Sequence, residues 1–337
     1  MTALLDVRNL SIGYRTSRGE AKAVDGISFT IEPGEYLGLV GESGCGKSTI
    51  AKALLGILPE GARVSGTVKF KNTSLVNLSQ ADFRKIRWTG ISLVPQSAMN
   101  GFDPVYTIGQ QIREAIESHR QLPAAERDRR VEELFALVGL SKVRLKDYPH
   151  QFSGGMRQRA MIAMSMVLDP ALIVADEPTT GLDVIVQDQI MRRMKEIHER
   201  LRKSMLLITH DMAVVAENCD KIAVMYAGRI MEYGDERVFR EPHHPYTMGL
   251  CAAFPEFDDR RRELISIPGA PPDLLNPPTG CRFHQRCPFA TAQCAVETPP
   301  EVEISPGHVA ACHFVDRAGE FRKRSINPET WRPPQLA

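Results

Sequence analysis

The stretch that most constrains this chain is Gly41-Glu42-Ser43-Gly44-Cys45-Gly46-Lys47-Ser48-Thr49. It follows an apolar run, Tyr36–Val40, and precedes a helix-forming run, Ile50–Leu55. Strand, glycine loop and helix in that order, with the spacing G-x-x-x-x-G-K-[ST], make a phosphate-binding loop. The glycines let successive backbone N–H groups curl inward, where a Cβ would block the approach of a phosphate. The new helix adds its positive end. Lys47 is placed to reach the β- and γ-phosphates, and Ser48 to give an oxygen to Mg²⁺. Cys45 puts a thiol inside the loop, where alkylation should block nucleotide and nucleotide should protect the thiol.

Composition narrows the setting. Charged residues are 25% and hydrophobic ones 43% of 337 residues, which suits one large or two smaller soluble domains. A formal net charge of +1 gives no electrostatic case for nucleic acid. Asp6 and Arg8 interrupt the first apolar stretch, so it does not read as a signal peptide. The longest apolar candidate for a membrane span, residues 160–175, is cut by Asp169-Pro170. A cytosolic setting is therefore expected.

The rest of the chain supplies further candidates in order. Residues 4–10 and 24–31 read as strands around a polar turn, with Tyr14 just upstream of that turn. An aromatic there either stacks on an adenine or packs as an ordinary strand residue. Ile91–Val94 is a buried-type strand that ends at Pro95-Gln96, and ligands of open α/β sheets gather at such strand ends. Residues 108–139 have helical periodicity. In Phe152-Ser153-Gly154-Gly155-Met156, Ser153 can cap a helix whose first N–H groups the glycines leave open to an anion. Leu172–Asp176 is an apolar strand ending in two carboxylates, Asp176 and Glu177. An isolated Asp-Glu is commonly a helix N-terminal charge pair. After a phosphate loop, Asp176 is placed to hold Mg²⁺ and Glu177 to orient or deprotonate an attacking water. A further strand, Leu206–Thr209, ends at His210; a lone histidine is usually structural, but one at the carboxyl end of a core strand could contact a γ-phosphate.

Taken together and in this order, residues 4 to about 245 resemble the ATP-binding subunit of an ABC transporter. Gly41–Thr49 is similar to its Walker A motif and Leu172–Asp176 to its Walker B. Tyr14 falls at the adenine-stacking aromatic, Gln96 at the glutamine loop, Asp183 at the D-loop aspartate and His210 at the switch histidine. Phe152–Met156 resembles the signature Leu-Ser-Gly-Gly-Gln, with Phe152 and Met156 as departures; Gly181 stands where alanine is common. The resemblance implies an α/β fold: a RecA-like core, an N-terminal antiparallel β subdomain and a helical subdomain.

The tail narrows the resemblance. Glu241–Thr247, Pro268–Pro272 and Gly280–Pro288 are similar to the oligopeptide/dipeptide branch of these importers. That implies an ATP-binding domain over residues 1–255 and a small Cys/Pro-rich extension over 256–337. Cys281, Cys287, Cys294 and Cys312 are spaced C-x5-C-x6-C-x17-C, without the C-x-x-C knuckle of zinc fingers. The branch implies a [4Fe–4S] cluster there; zinc and plain reduced cysteines are the other readings.

The same resemblance implies MgATP hydrolysis at a shared site. Ser153, Gly154 and Gly155 would close over the γ-phosphate held by a second ATP-binding subunit, making a heterodimer. Two membrane permease subunits would dock near Gln96 and residues 97–107. An extracytoplasmic binding protein would deliver a peptide or a related small solute, and the chain would lie on the cytoplasmic face of the inner membrane. The competing expectation is a soluble ABC-type ATPase not coupled to transport. A single ATPase unit with no heptad insertion between residues 49 and 150 weighs against it.

Overall fold

The computed structural model describes residues 3–96, 101–253 and 265–332. The expected boundary at 255/256 falls outside the described residues. Two sheets organise the fold. The smaller is built from β1 (Leu5–Thr16), β2 (Gly19–Ile31), β4 (Arg63–Phe70) and β5 (Thr73–Ser74), in the antiparallel order β2-β1-β4-β5. Between its strands run β3 (Tyr36–Val40) and α1 (Lys47–Leu54), and α2 (Gln80–Ile86) follows. The polar turn after Tyr14 is a tight hairpin, and both of its strands run past the expected ends to Thr16 and Gly19.

The larger sheet has the order β11-β12-β10-β9-β3-β8-β7-β6. Its five parallel strands are β6 (Ile91–Val94), β7 (Leu172–Asp176), β8 (Ser204–Thr209), β9 (Lys221–Tyr226) and β3. These are the chain's continuous apolar runs, as expected of strands covered on both faces. Alternate residues serve opposite cores. Ile173, Ala175, Met205, Leu207, Ile222 and Val224 face one cluster, with α3 (Ile108–Glu117), α4 (Ala124–Leu137), α5 (Gly154–Ser165), α6 (Val184–Leu201) and α7 (Met212–Asn218). Leu172, Val174, Leu206, Ile208, Ala223 and Met225 face the other, with α1 and the small sheet. The period of two thus divides one apolar run between two cores. Among the described residues, no helix is long and apolar enough to cross a membrane.

The C-terminal part continues the core. β10 (Arg229–Gly234) pairs with β9 and leads into α8 (Arg237–Arg240) and α9 (Pro245–Ala252). After α10 (Ala292–Val296), β11 (Val302–Ser305) and β12 (His308–Ala310) add two strands to the large sheet, with Glu232 opposite Ala310. α11 (Ala318–Ser325) then packs on α9. Ile265, Cys281, Phe283, Cys294 and Trp331 belong to the same apolar cluster as the helices of the first core.

One buried carboxylate ties these pieces together. Glu232 is 1% exposed. It accepts the backbone N–H groups of His243 (2.8 Å) and His244 (2.9 Å) ahead of α9, and Nε2–H of His308 on β12 (2.8 Å). Glu232→Ala leaves three donors, two of them buried, without an acceptor, at a cost on the order of 3 kcal/mol. The expected result is a clear fall in the urea or thermal midpoint of the full chain. An unchanged midpoint would show that the tail is held elsewhere.

Candidate active site

Parallel strands place the candidate residues side by side. β3, β8, β7 and β6 are neighbours in that order, and their carboxyl ends carry the glycine loop, His210, Asp176-Glu177 and Gln96. This edge is where open α/β sheets bind ligands.

The loop has the conformation its glycines allow. Gly46 has φ 107° at the N-cap of α1, and a Cβ there would lie 2.1 Å from the Ala23 carbonyl oxygen. At Gly41 a Cβ would lie 2.0 Å from the Met225 carbonyl oxygen. Backbone from β2 and β9 therefore crowds the loop, and only glycine fits. Lys47, 4% exposed, donates to the carbonyls of Gly41 (2.7 Å) and Glu42 (2.9 Å). Ser48 Oγ donates to Asp176 Oδ1 at 3.0 Å. A hydroxyl and a carboxylate so paired are the two protein oxygens a Mg²⁺ beside a triphosphate would need. Burial pushes the Asp176 carboxyl above its ordinary range, and the Ser48 hydrogen bond partly opposes this. The Tyr14 hydroxyl donates to Thr49 Oγ1 at 3.2 Å, so this half-buried ring stands beside the loop. Ser43 and Gly44 complete the loop on its exposed side.

Glu177 follows Asp176 with φ 46°, a left-handed backbone for a residue with a Cβ. Such a conformation costs of order 1–3 kcal/mol and persists where the surroundings over-determine it. Here the Glu177 N–H donates to the Ile208 carbonyl at 2.7 Å. The carboxylate accepts from Gln96 Nε2 (3.0 Å) and Thr180 Oγ1 (2.9 Å), and His210 Nδ1 lies 3.6 Å from its other oxygen. Its side chain is 13% exposed, whereas that of His210 is 58% exposed. One carboxylate thus gathers residues from three strand ends.

Ser153, Gly154 and Gly155 stand apart: among the described residues, no hydrogen bond joins them to this group. Ser153 caps α5 by accepting the Met156 N–H, and Asp183 caps α6 by accepting the Val186 N–H. A Cβ on Gly155 would lie 2.3 Å from Val186 Cγ1. Gly155 is therefore required for packing α5 on α6, whatever else its N–H does.

Cys45 corrects the sequence expectation. Its residue is 2% exposed, and burial pushes the thiol above its ordinary pKa. A buried, protonated thiol is a poor target for alkylation, so labelling would not report on nucleotide.

The tail meets the loop, which sequence spacing does not reveal. Arg286, with a side chain 8% exposed, binds the Glu42 carboxylate through both Nη atoms, at 2.7 and 3.0 Å. Tyr246 Oη accepts the Glu42 N–H at 3.1 Å. Arg282 and Arg229 both pair with Asp25 on β2. The clue available in the sequence is that Arg282 and Arg286 begin and end the segment between Cys281 and Cys287.

All seven cysteines are free thiols, and Cys281, Cys287, Cys294 and Cys312 line one small pocket with Phe289, Phe314 and Phe321. Burial pushes the Cys281 and Cys287 thiols up, and that of Cys312 up to about 12. Among the described residues, no three of these sulfurs lie within 4.8 Å of one another. Tetrahedral zinc with Zn–S near 2.3 Å would hold its sulfurs about 3.8 Å apart. The four sulfurs are not gathered into such a cage.

Comparison with known proteins agrees with this geometry. The ABC transporter family profile matches residues 24–180, and that of the oligopeptide/dipeptide transporter C-terminal region matches 231–294. The chain is 45% identical to the dipeptide transport ATP-binding protein DppD of Lactococcus lactis over 318 residues, covering 93% of this chain and 91% of that protein. It is 43% identical to the oligopeptide transport ATP-binding protein OppD of Escherichia coli, covering 92% and 93%. A solved dimer of the ATP-binding cassette MJ0796 bound to ADP and Pi superposes with a TM-score of 0.62 at 26% identity, spanning 69% of this chain and 99% of that one. cbiO1 from Clostridium perfringens, part of the ABC transporter complex cbiONQ, superposes at 0.60 and 28% identity, spanning 70% and 90%. The chain belongs to the ATP-binding proteins of ABC transporters, in their oligopeptide/dipeptide branch.

Proposed function

We propose that this chain is the ATP-hydrolysing subunit that energises a membrane importer of peptides. The observation that carries the proposal is Glu177, held by Gln96 and Thr180 beside His210, one residue after the Asp176–Ser48 pair. Gly41–Thr49 cradle the phosphates with backbone N–H groups, and Lys47 exchanges its carbonyl partners for the β- and γ-oxygens. Ser48, Asp176 and Gln96 would hold Mg²⁺, which would supply positive charge against the phosphate oxygens. Glu177 orients the attacking water and accepts its proton, and His210 bonds the γ-phosphate. Tyr14 stacks on the adenine. The relatives' names, which specify dipeptide and oligopeptide transport, support peptides as cargo.

Among the described residues, Ser153, Gly154, Gly155 and Asp183 make no hydrogen bond to Lys47, Asp176 or Glu177. They complete the site of a second ATP-binding subunit, a distinct but similar chain in a heterodimer. The dimeric MJ0796 cassette supports the pairing of two such subunits. Two permease subunits dock beside Gln96, where Val105 and Tyr106 are 69% and 51% exposed. Residues 97–100 of that expected contact lie outside the described residues. A solute-binding protein delivers the peptide from the other side of the membrane. The chain lies peripherally on the inner membrane's cytoplasmic face, with residues 1–255 as the ATP-binding domain and 256–337 as its Cys/Pro-rich extension.

Glu177→Gln keeps the hydrogen bonds and loses the base. In the complex reconstituted with permease and partner ATPase, turnover should fall about 100-fold or more with ATP binding retained. Near-wild-type turnover would remove Glu177 from its role.

We further propose that the four tail thiols hold a [4Fe–4S] cluster. The shared pocket of the four cysteines, with no three sulfurs within 4.8 Å of one another among the described residues, supports it. Burial pushes the Cys281, Cys287 and Cys312 thiols up, so loading must release their protons. Protein purified without oxygen should be brown, with iron and acid-labile sulfide that Cys287→Ser and Cys294→Ser remove. Colourless protein with stoichiometric zinc would overturn the cluster.

A further inference from the structure

Arg286 spends every hydrogen it has. A guanidinium offers five N–H donors. Nε donates to the Pro268 carbonyl at 2.8 Å. Nη1 donates to Glu42 Oε2 at 2.7 Å and to Tyr226 Oη at 3.2 Å. Nη2 donates to Glu42 Oε1 at 3.0 Å and to the Ile267 carbonyl at 3.3 Å. Its plane also lies over the Tyr226 and Phe283 rings, at 5.6 and 6.0 Å. Lysine, with three donors on one atom, cannot reproduce this fork.

The residue so gripped is the second of the phosphate loop. Its other groups are held too: the Glu42 N–H donates to Tyr246 Oη, and its carbonyl accepts Lys47 Nζ. The Tyr246 ring packs on Tyr226 at 4.7 Å, and Tyr226 returns to Arg286. Arg286, Tyr226, Tyr246 and Glu42 therefore close a ring of contacts around the start of the loop. Without Arg286, a carboxylate beside the expected triphosphate would keep its charge uncompensated.

We propose that Arg286 is a positioning residue for ATP: from the C-terminal region it holds Glu42, and with it the phosphate loop, in the receiving geometry, and cancels the Glu42 charge. This rests on the reading of Gly41–Thr49 as the ATP site. Arg286 directly precedes Cys287, so the segment that carries two of the tail thiols also braces the loop.

The test is binding of a fluorescent ATP analogue to the full chain, with melting midpoints recorded alongside. Arg286→Met should weaken binding about tenfold. In the reconstituted complex it should raise KM for ATP while kcat at saturation changes little. Adding Glu42→Gln to Arg286→Met should recover binding to within about threefold of wild type, because the uncompensated charge is gone. Arg286→Lys should fall between wild type and Arg286→Met, and it carries the test if the methionine variant fails to fold. Binding by Arg286→Met or Arg286→Lys equal to wild type overturns the proposal, as does a double variant as weak as Arg286→Met. A wild-type chain that does not bind the analogue at all is a separate result: it removes the ATP-site reading, and this inference with it.

Discussion

A buried ammonium is the interaction on which the rest of the site depends. Withdrawing a lysine from water is costly unless its three hydrogens are met. Lys47 meets them with the carbonyls of Gly41 and Glu42 and the sulfur of Cys45, 3.6 Å away. Those carbonyls point inward because Gly46 takes a left-handed backbone and Gly41 passes close under Met225. Anionic phosphate oxygens would be stronger acceptors than carbonyls. The same loop fold that shelters Lys47 thus prepares it to be drawn to a triphosphate.

The large sheet supplies what the loop cannot. Parallel pairing sets the ends of β3, β8, β7 and β6 in one row, so residues as distant in sequence as Lys47 and His210 share an edge. Strain accumulates at that edge. Glu177 keeps a left-handed backbone because its N–H is tied to β8 and its carboxylate to Gln96 and Thr180. Side chains from neighbouring strands over-determine its position, which is the condition under which strain persists. The tail adds a brace from the far side of the chain, through Arg286 on Glu42 and Arg282 on Asp25.

Much of this was legible in sequence, and for physical reasons. Local signals carried Gly41–Thr49, because a strand, a glycine loop and a helix are contiguous there. They also carried Asp176-Glu177 and His210, because each ends an apolar strand that cannot continue into a polar pair. What was not legible depends on approach in space. The burial of Cys45 follows from backbone of other strands closing over the loop, and no neighbour in sequence announces it. Gly155 reads as an anion-binding glycine, yet a Cβ there would run into Val186, on another helix. The Arg286–Glu42 pair joins residues 244 positions apart, and nothing in the spacing of either selects the other. The tail read as an appendage because proline and cysteine dominate it. β12 instead pairs with β10, and Glu232 fastens it beneath α9.

The central claim is that the glycine loop and its buried lysine receive a nucleoside triphosphate. The most direct measurement is calorimetric titration of the full chain with MgATP, beside Lys47→Ala at matched melting midpoint. The wild type should bind saturably and one-to-one, and the variant about tenfold or more weakly. Equal binding by the two chains, or none by the wild type, would contradict it.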